Sequence, residues 1–334
     1  MASLALSDTL AAGTRAAIDD PRGILGDKIV LLRGNKDKLV PEGVSDALEQ
    51  YYRMVYRHFA QPIPAKTITY KKALGANHAV TTANTIGLKP PYINRCDVFK
   101  QPFLKVCSPR NCSTACAAGA LATQGSACSL CQEGINAAGE ILGKIYGPSQ
   151  PSNPPKVTEW RFSSPPTVVQ DCRRGGTVDP RCQWLQERIF AFNQSEVFGG
   201  SSLATDTSFM ESKGFIFVPK RCGNGASCRL HIAFHGCQQG YNFHGFNVVK
   251  AMYSSPESGW THFVENAGYN EWADANNIVV LYPQARTANL GFANPQGCWD
   301  FWGYTDGNYA AKSGQQINAV WRMVERLVPA VTAR

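Results

Sequence analysis

A chain of 334 residues that is 44% apolar, with ordinary glycine and proline content, reads as folded and long enough for one large α/β domain or two modest ones. Its net charge of +8 is spread thinly, with no block of five or six basic residues, which argues against a nucleic-acid partner. No run of about eighteen apolar residues occurs, so no membrane-spanning helix is expected.

Met1 to Ser7 lacks the basic start and long apolar core of a signal peptide. Lys28 to Leu32 is an apolar run that reads as a buried strand, stopped by Gly34 and followed by Asp37 in a loop. Pro41-Glu42-Gly43 opens a helix, since proline suits the first helical position and Glu42 the positive end of the dipole. Val44, Leu48, Tyr51, Val55 and Phe59 recur at helical spacing and predict its buried face. Thr67 to Tyr70 is a second strand, leading into the loop Gly75-Ala76-Asn77-His78. Residues 85–131 are irregular and rich in cysteine, an excursion expected to be stapled by disulfides, and Ile135 to Tyr146 is a short helix. A connector with four prolines follows from Gly147 to Pro155, and 148–210 reads as a Pro-rich connector and irregular insertion.

From about residue 211 the pattern becomes strongly α/β. Strand Phe215 to Val218 precedes the small loop Cys222 to Cys228 and the strand Leu230 to Phe234, which ends in the turn His235-Gly236-Cys237. A helix over Trp260 to Ala275 runs into strand Ile278 to Tyr282, stopped by Pro283. The last helix, Gln315 to Val328, is predicted to bury Ile317, Val320, Trp321, Val324 and Leu327. No internal repeat is evident. The segments at about 20–147 and 211–334 are therefore expected to build one α/β domain across 1–334.

Twelve cysteines are many for a reducing compartment, and their even count suggests disulfides and an extracellular or secretory location. Two N-x-S sequons, at Asn111 and Asn193, agree with secretion. The group Cys107, Cys112, Cys116, Cys128 and Cys131 could hold zinc, but its spacing fits no common ligand pattern and no histidine lies near, so no metal and no cofactor are expected. Cys222 and Cys228 bracket a loop short enough to close with a disulfide.

A strand ending in a loop aspartate, then a strand ending in a loop histidine, is how α/β-hydrolases present the last two members of a Ser…Asp…His triad. Asp37 alone would read as a turn former before a helix. His78 sits in a small-residue loop, and imidazole is the natural general base near neutral pH. His231 and His235 share a strand face at a spacing that makes no compact metal pair, and both read as structural. The triad serine requires a G-x-S-x-G elbow, and no such pentapeptide occurs in the 334 residues. The string Gly199-Gly200-Ser201-Ser202-Leu203 contains serines but precedes a strand instead of ending one. A thiol hydrolase built on Cys237 and His78 would need a reduced, activated thiolate among many disulfides.

Several strings together carry a family likeness: Phe217-Val218-Pro219, His231 through Gln238, Gly268-Tyr269-Asn270-Glu271-Trp272-Ala273-Asp274, Leu281-Tyr282-Pro283-Gln284 and Gly297-Cys298-Trp299-Asp300. The segment from Gly214 onward resembles the poly(3-hydroxybutyrate) depolymerases, α/β-hydrolases that cleave bacterial storage polyester. Residues 28–79 resemble another part of the same domain, and 85–210 match poorly. The order of the two parts is similar to that of the circularly permuted, single-domain fungal members, which carry G-L-S-S-G-G well upstream of the Asp segment. The resemblance implies an α/β-hydrolase-like, mostly parallel sheet flanked by helices, lacking here its central nucleophile strand. Truncation is favoured over degeneration as the expected reason. The resemblance further implies Asp37 and His78 as catalytic residues, the Cys237 amide in the oxyanion hole, and a Cys237–Cys298 disulfide. Trp299, Trp302 and Tyr304 would line a substrate cleft.

The expected function is hydrolysis of ester bonds in short-chain polyhydroxyalkanoate or its oligomers, with the serine absent from this chain and the chain as written inactive. A carbohydrate esterase acting on acetyl or feruloyl groups, and a non-catalytic polymer-binding protein, remain as alternatives. The expected partner is the polyester or ester substrate.

Overall fold

The computed structural model describes residues 1–82, 94–95, 104–106, 137–146, 167–168, 188–200, 207–223, 227–241, 262–287 and 293–328. The chain divides into two compact units, Met1–Thr85 with Lys89–Ser149, and Ile86–Leu88 with Gln150–Arg334. The cysteine group of residues 107–131, Cys96, Cys172, Cys182, Ser201, Ser202 and the sequon at Asn111 lie outside the described residues.

In the first unit, helix α1 (Ala2–Thr14) lies against helix α2 (Glu42–His58), with Thr9 Oγ1 and Tyr51 Oη 3.0 Å apart. Strands β1 (Ile29–Gly34) and β2 (Ile68–Leu74) are parallel neighbours, with Ile29 opposite Ile68 and Leu31 opposite Tyr70. Parallel neighbours need a crossover, and α2 provides it. Pro41 caps this helix and Glu42 is its first residue, one position later than the sequence implied. Its buried face also differs: Val55 and Tyr56 are buried, whereas Val44 and Leu48 are exposed. Tyr56 is held by its hydroxyl, which accepts the Gly26 amide at 2.7 Å. Three short parallel strands, β3 (Val80–Thr82), β4 (Asn94–Arg95) and β5 (Leu104–Val106), form a second sheet in the order β3-β5-β4, and helix α3 (Ala137–Tyr146) follows.

The second unit is built on a five-stranded sheet of β6 (Thr167–Val168), β7 (Ile189–Asn193), β8 (Lys213–Phe217), β9 (Arg229–Ile232) and β10 (Ile278–Tyr282), in the order β6-β7-β8-β10-β9. Only β9 and β10 are parallel; the β6–β7, β7–β8 and β8–β10 pairs are antiparallel. This corrects the expectation of one mostly parallel sheet: the sheet of this unit is mostly antiparallel, and the parallel pair β1 and β2 forms a sheet of its own. The local reason lies in the connections: β9 and β10 are joined through helices α4 (His262–Asn266) and α5 (Tyr269–Ala275). That stretch is long enough to return the chain to the same end, as parallel pairing requires. The helix expected to start at Trp260 is thus two helices, broken at Gly268, whose φ of 87° is left-handed.

Every residue of β10 is buried. Helix α6 (Gln315–Leu327) covers the core with Ala319, Val320, Met323 and Leu327, beside Phe192, Val197, Met210 and Ile216. Ile317 and Trp321, expected on this face, are exposed instead. Gln194 is buried and fully engaged: its amide donates to Glu211 O and Gln284 O, and its carbonyl accepts the Gln284 amide at 3.0 Å. No helix among the described residues is long and apolar enough to cross a membrane.

Candidate active site

Asp37 and His78 lie on the loops that follow the two parallel strands of the first unit, and the loops are locked together by backbone. The Lys36 amide donates to Ala76 O at 3.1 Å, and the Asp37 amide to Gly34 O at 3.1 Å. The approach at Gly34 is so close that an added Cβ would lie 2.1 Å from Ala76 O. Glycine is needed there for space, which explains why β1 ends at this residue type.

Across this junction His78 Nδ1 and Asp37 Oδ2 are 2.9 Å apart. The carboxylate accepts from the ring nitrogen, which leaves Nε2 as the basic nitrogen of that tautomer. Asp37 Oδ1 accepts the Leu39 and Val40 amides at 2.8 and 3.0 Å. Burial pushes the Asp37 carboxyl up, but the hydrogen bonds from Val40, His78 and Leu39 outweigh it and hold the group below the ordinary aspartate value. The Asp37 side chain is 11% exposed and that of His78 34%, so the pair has one protected and one accessible end. The His78 amide donates to Asn77 Oδ1 at 2.8 Å, fixing the loop.

In the second unit, His235 is buried beneath the turn it begins. Its Nε2 accepts the Ala285 amide at 3.1 Å and its Nδ1–H donates to Gly236 O at 2.8 Å, so the partners define the tautomer. Burial pushes its pKa down to about 4, as it does for His231, and both are structural in this fold. Cys237 is bonded to Cys298, and Cys222 to Cys228. The Cys237 amide donates to no group among the described residues.

Cys298 leads into the aromatic loop. Asp300 knots this loop: Oδ1 accepts the Trp302, Gly303 and Tyr304 amides, and Oδ2 accepts the Thr305 amide and hydroxyl. Burial raises the Asp300 carboxyl, yet these donors bring it net below its ordinary value. Trp299 Nε1 donates to His235 O at 3.1 Å, and its ring meets Phe234 edge-on at 5.0 Å. The Tyr304 hydroxyl turns inward, donating to Cys298 O at 2.6 Å and accepting from Asn294 and Gln316. Of the three aromatics expected at a cleft, Trp302 is the exposed one, beside the still more exposed Phe301. The supporting polar groups Asn294, Asp300 and Gln316 carry no periodicity that would have marked them, although Asp300 falls within a motif string. Among the described residues no cluster of histidine, cysteine or carboxylate side chains could hold a metal ion.

A carboxylate-oriented imidazole on loops after adjacent parallel strands, together with a βαβ-containing sheet, defines the class as α/β-hydrolase-like. No family model matches the chain. By sequence it is similar to a poly(3-hydroxybutyrate) depolymerase of Delftia acidovorans, 29% identical over 327 residues, covering 97% of this chain and 47% of that protein. It is also similar to a polyhydroxybutyrate depolymerase of Talaromyces funiculosus, 34% identical over 153 residues, covering 43% of this chain and 39% of that protein. By structure it resembles a crystal structure of PHB depolymerase from Penicillium funiculosum, with a TM-score of 0.61 and 22% identity over 96% of this chain and 77% of that one. A PHB depolymerase variant complexed with an R3HB trimer gives a TM-score of 0.59 at 23% identity, over 94% of this chain and 74% of that one. The structural likeness speaks for the fold, and the chain spans less than half the length of the curated relatives it matches. In sequence and in fold the chain is thus similar to poly(3-hydroxybutyrate) depolymerases.

Proposed function

We propose that this chain carries the general base and an oxyanion donor of a serine-type ester hydrolase acting on poly(3-hydroxybutyrate) or its oligomers. The observation that supports it most is the 2.9 Å contact between His78 Nδ1 and Asp37 Oδ2 on loops after parallel strands. In this reading His78 Nε2 takes the hydroxyl proton of a serine lying outside these 334 residues while its Oγ attacks the ester carbonyl. Asp37 accepts Nδ1–H and balances the imidazolium that forms. Collapse of the tetrahedral intermediate expels the alcohol end of the polymer, protonated by His78. Water, deprotonated by the same base, then frees the acid. The Cys237 amide is the candidate oxyanion donor, and such a donor is worth about 10²–10³ in rate. Trp302 and Phe301 offer apolar rings to the methyls of a short 3-hydroxyacyl polymer. The two disulfides suit an oxidising, extracellular setting.

A second reading, a polymer-binding protein without catalysis, is favoured by the absent G-x-S-x-G string. Ester release from polyhydroxybutyrate granules by the full-length protein purified from its source separates the two. Hydrolysis that disappears in His78→Ala supports the enzyme. Granule binding with no release of acid from the unsubstituted protein supports the binder. A preference for acetylated or feruloylated polysaccharide over the polyester would redirect the substrate class.

A further inference from the structure

The turn from His235 to Gln239 spends nearly every polar group on holding itself. The Gly236 amide donates to Gln239 Oε1 at 2.7 Å, and the Gln239 amide returns to Gly236 O at 3.2 Å, closing a reciprocal ring around Cys237. Gly236 O also accepts His235 Nδ1–H. On the far side the Gln238 amide donates to Gln296 O at 2.7 Å, and Gln238 takes a left-handed φ of 64° to reach it. His235 O is taken by Trp299 Nε1. Among the described residues, the backbone donors of this turn left without an acceptor are the amides of His235, where it begins, and of Cys237, within it. Gln239 is itself nearly buried, and an added Cβ at Gly236 would lie 2.9 Å from its Oε1, so the side chain fills the inside of the turn.

We propose that Gln239 is a positioning residue for the reaction: its side-chain carbonyl captures the Gly236 amide and so sets the peptide plane that presents the Cys237 amide. This rests on the ester-hydrolase reading above. The reason is geometric. Peptide planes share their Cα atoms: Gly236 O, in the plane of the Cys237 amide, is held by His235 Nδ1–H and the Gln239 amide, while Gln239 Oε1 fixes the preceding plane, so losing Oε1 loosens the hinge at the Gly236 Cα. An oxyanion donor acts only when pre-aimed at developing charge, so a misaimed amide costs turnover more than substrate binding. Electrostatic preorganisation, unlike simple stability, is read in the split between kcat and KM.

The test uses the full-length protein from its source and a soluble hydroxybutyrate oligomer. Gln239→Leu should lower kcat about 10–100-fold with KM within about 2-fold. Gln239→Glu keeps an acceptor for the Gly236 amide and should stay within about 5-fold of the unsubstituted enzyme. A folded Gln239→Leu enzyme with unchanged kcat overturns the inference, even if its melting temperature falls. If the leucine variant does not fold, Gln239→Glu decides: a folded glutamate variant that loses more than about 10-fold in kcat overturns it. Should the unsubstituted protein hydrolyse no ester, the underlying reading fails and takes this inference with it. Hydrolysis by the unsubstituted protein with an indifferent Gln239 removes the inference alone.

Discussion

Gly34→Ala is the perturbation that bears most directly on the way the first unit brings Asp37 and His78 together. Gly34 does not take a positive φ, so the constraint is space and not dihedral freedom. The new Cβ would stand 2.1 Å from Ala76 O and 2.7 Å from Ala76 C, both backbone atoms that cannot swing aside. Non-bonded heavy atoms rest about 3.5 Å apart, so the loops must separate by roughly 1 Å. That displacement is comparable to the slack in a 2.9 Å hydrogen bond, and it also strains the Lys36 amide bond to Ala76 O. Overpacking of this kind costs about 1–3 kcal/mol, which corresponds to a fall in Tm of roughly 2–8 °C. A misplacement near 1 Å is worth about 100-fold in turnover where the pair is catalytic. Calorimetry reads the first quantity, and the downfield proton signal of the His78 Nδ1–H···Asp37 bond reads the geometry without any substrate. A Gly34→Ala protein with unchanged Tm and an intact Nδ1 proton signal would refute the reasoning.

Acid should weaken the second unit before its carboxylates titrate. His235 is held neutral by burial with its pKa pushed down from 6.5 to about 4, so the unfolded chain binds the extra proton first. The stability it contributes is therefore full above pH 6.5 and lost as pH falls towards 4, at up to about 1.4 kcal/mol per pH unit. Urea titrations at pH 7 and pH 5 should show the loss, and a slope unchanged in His235→Gln would contradict it. The Cys237–Cys298 bridge closes a separation of 61 residues and Cys222–Cys228 one of 6. In the chain-entropy treatment these contribute about 4 and about 2 kcal/mol, so denaturation of the paired Cys→Ala variants should rank them in that order. Asp300→Ala should destabilise by about 2–3 kcal/mol by leaving loop donors unmet and should raise the susceptibility of residues 300–305 to proteolysis; equal protease rates would count against the knot.

The strands were legible because their apolar runs are short and end in Gly, Pro or Asp, and the Asp37 and His78 loops followed from those ends. The sheet's directions were not. Strands β8 and β9 are successive in the chain but β10 lies between them, and a non-local insertion leaves no mark in local periodicity. The face of α6 was misread for a different reason. Gln316 is buried because its amide donates to Ser208 O and Tyr304 Oη, while its carbonyl accepts the Asp300 amide. A polar residue satisfied inside turns the helix by a step, and Ile317 and Trp321 rotate outward; hydrophobic spacing alone points the other way. At the candidate site the reacting types Asp and His were visible, as was the Cys237–Cys298 pairing through the family likeness. The groups that hold the turn and the aromatic loop of the second unit, Gln239, Asn294 and Asp300, were not, since a hydrogen-bonded amide or carboxylate has no sequence period.

The proposal to be tested is that His78, oriented by Asp37, would activate a serine outside these 334 residues. A fluorophosphonate probe, applied to the full-length protein from its source and followed by peptide mapping, tests it most directly. The account expects one labelled serine, located on a peptide outside this sequence, with labelling lost in His78→Ala and strongly slowed in Asp37→Asn. A label on a serine within the chain, Ser201 or Ser202 among them, or labelling that is indifferent to His78→Ala, would contradict it.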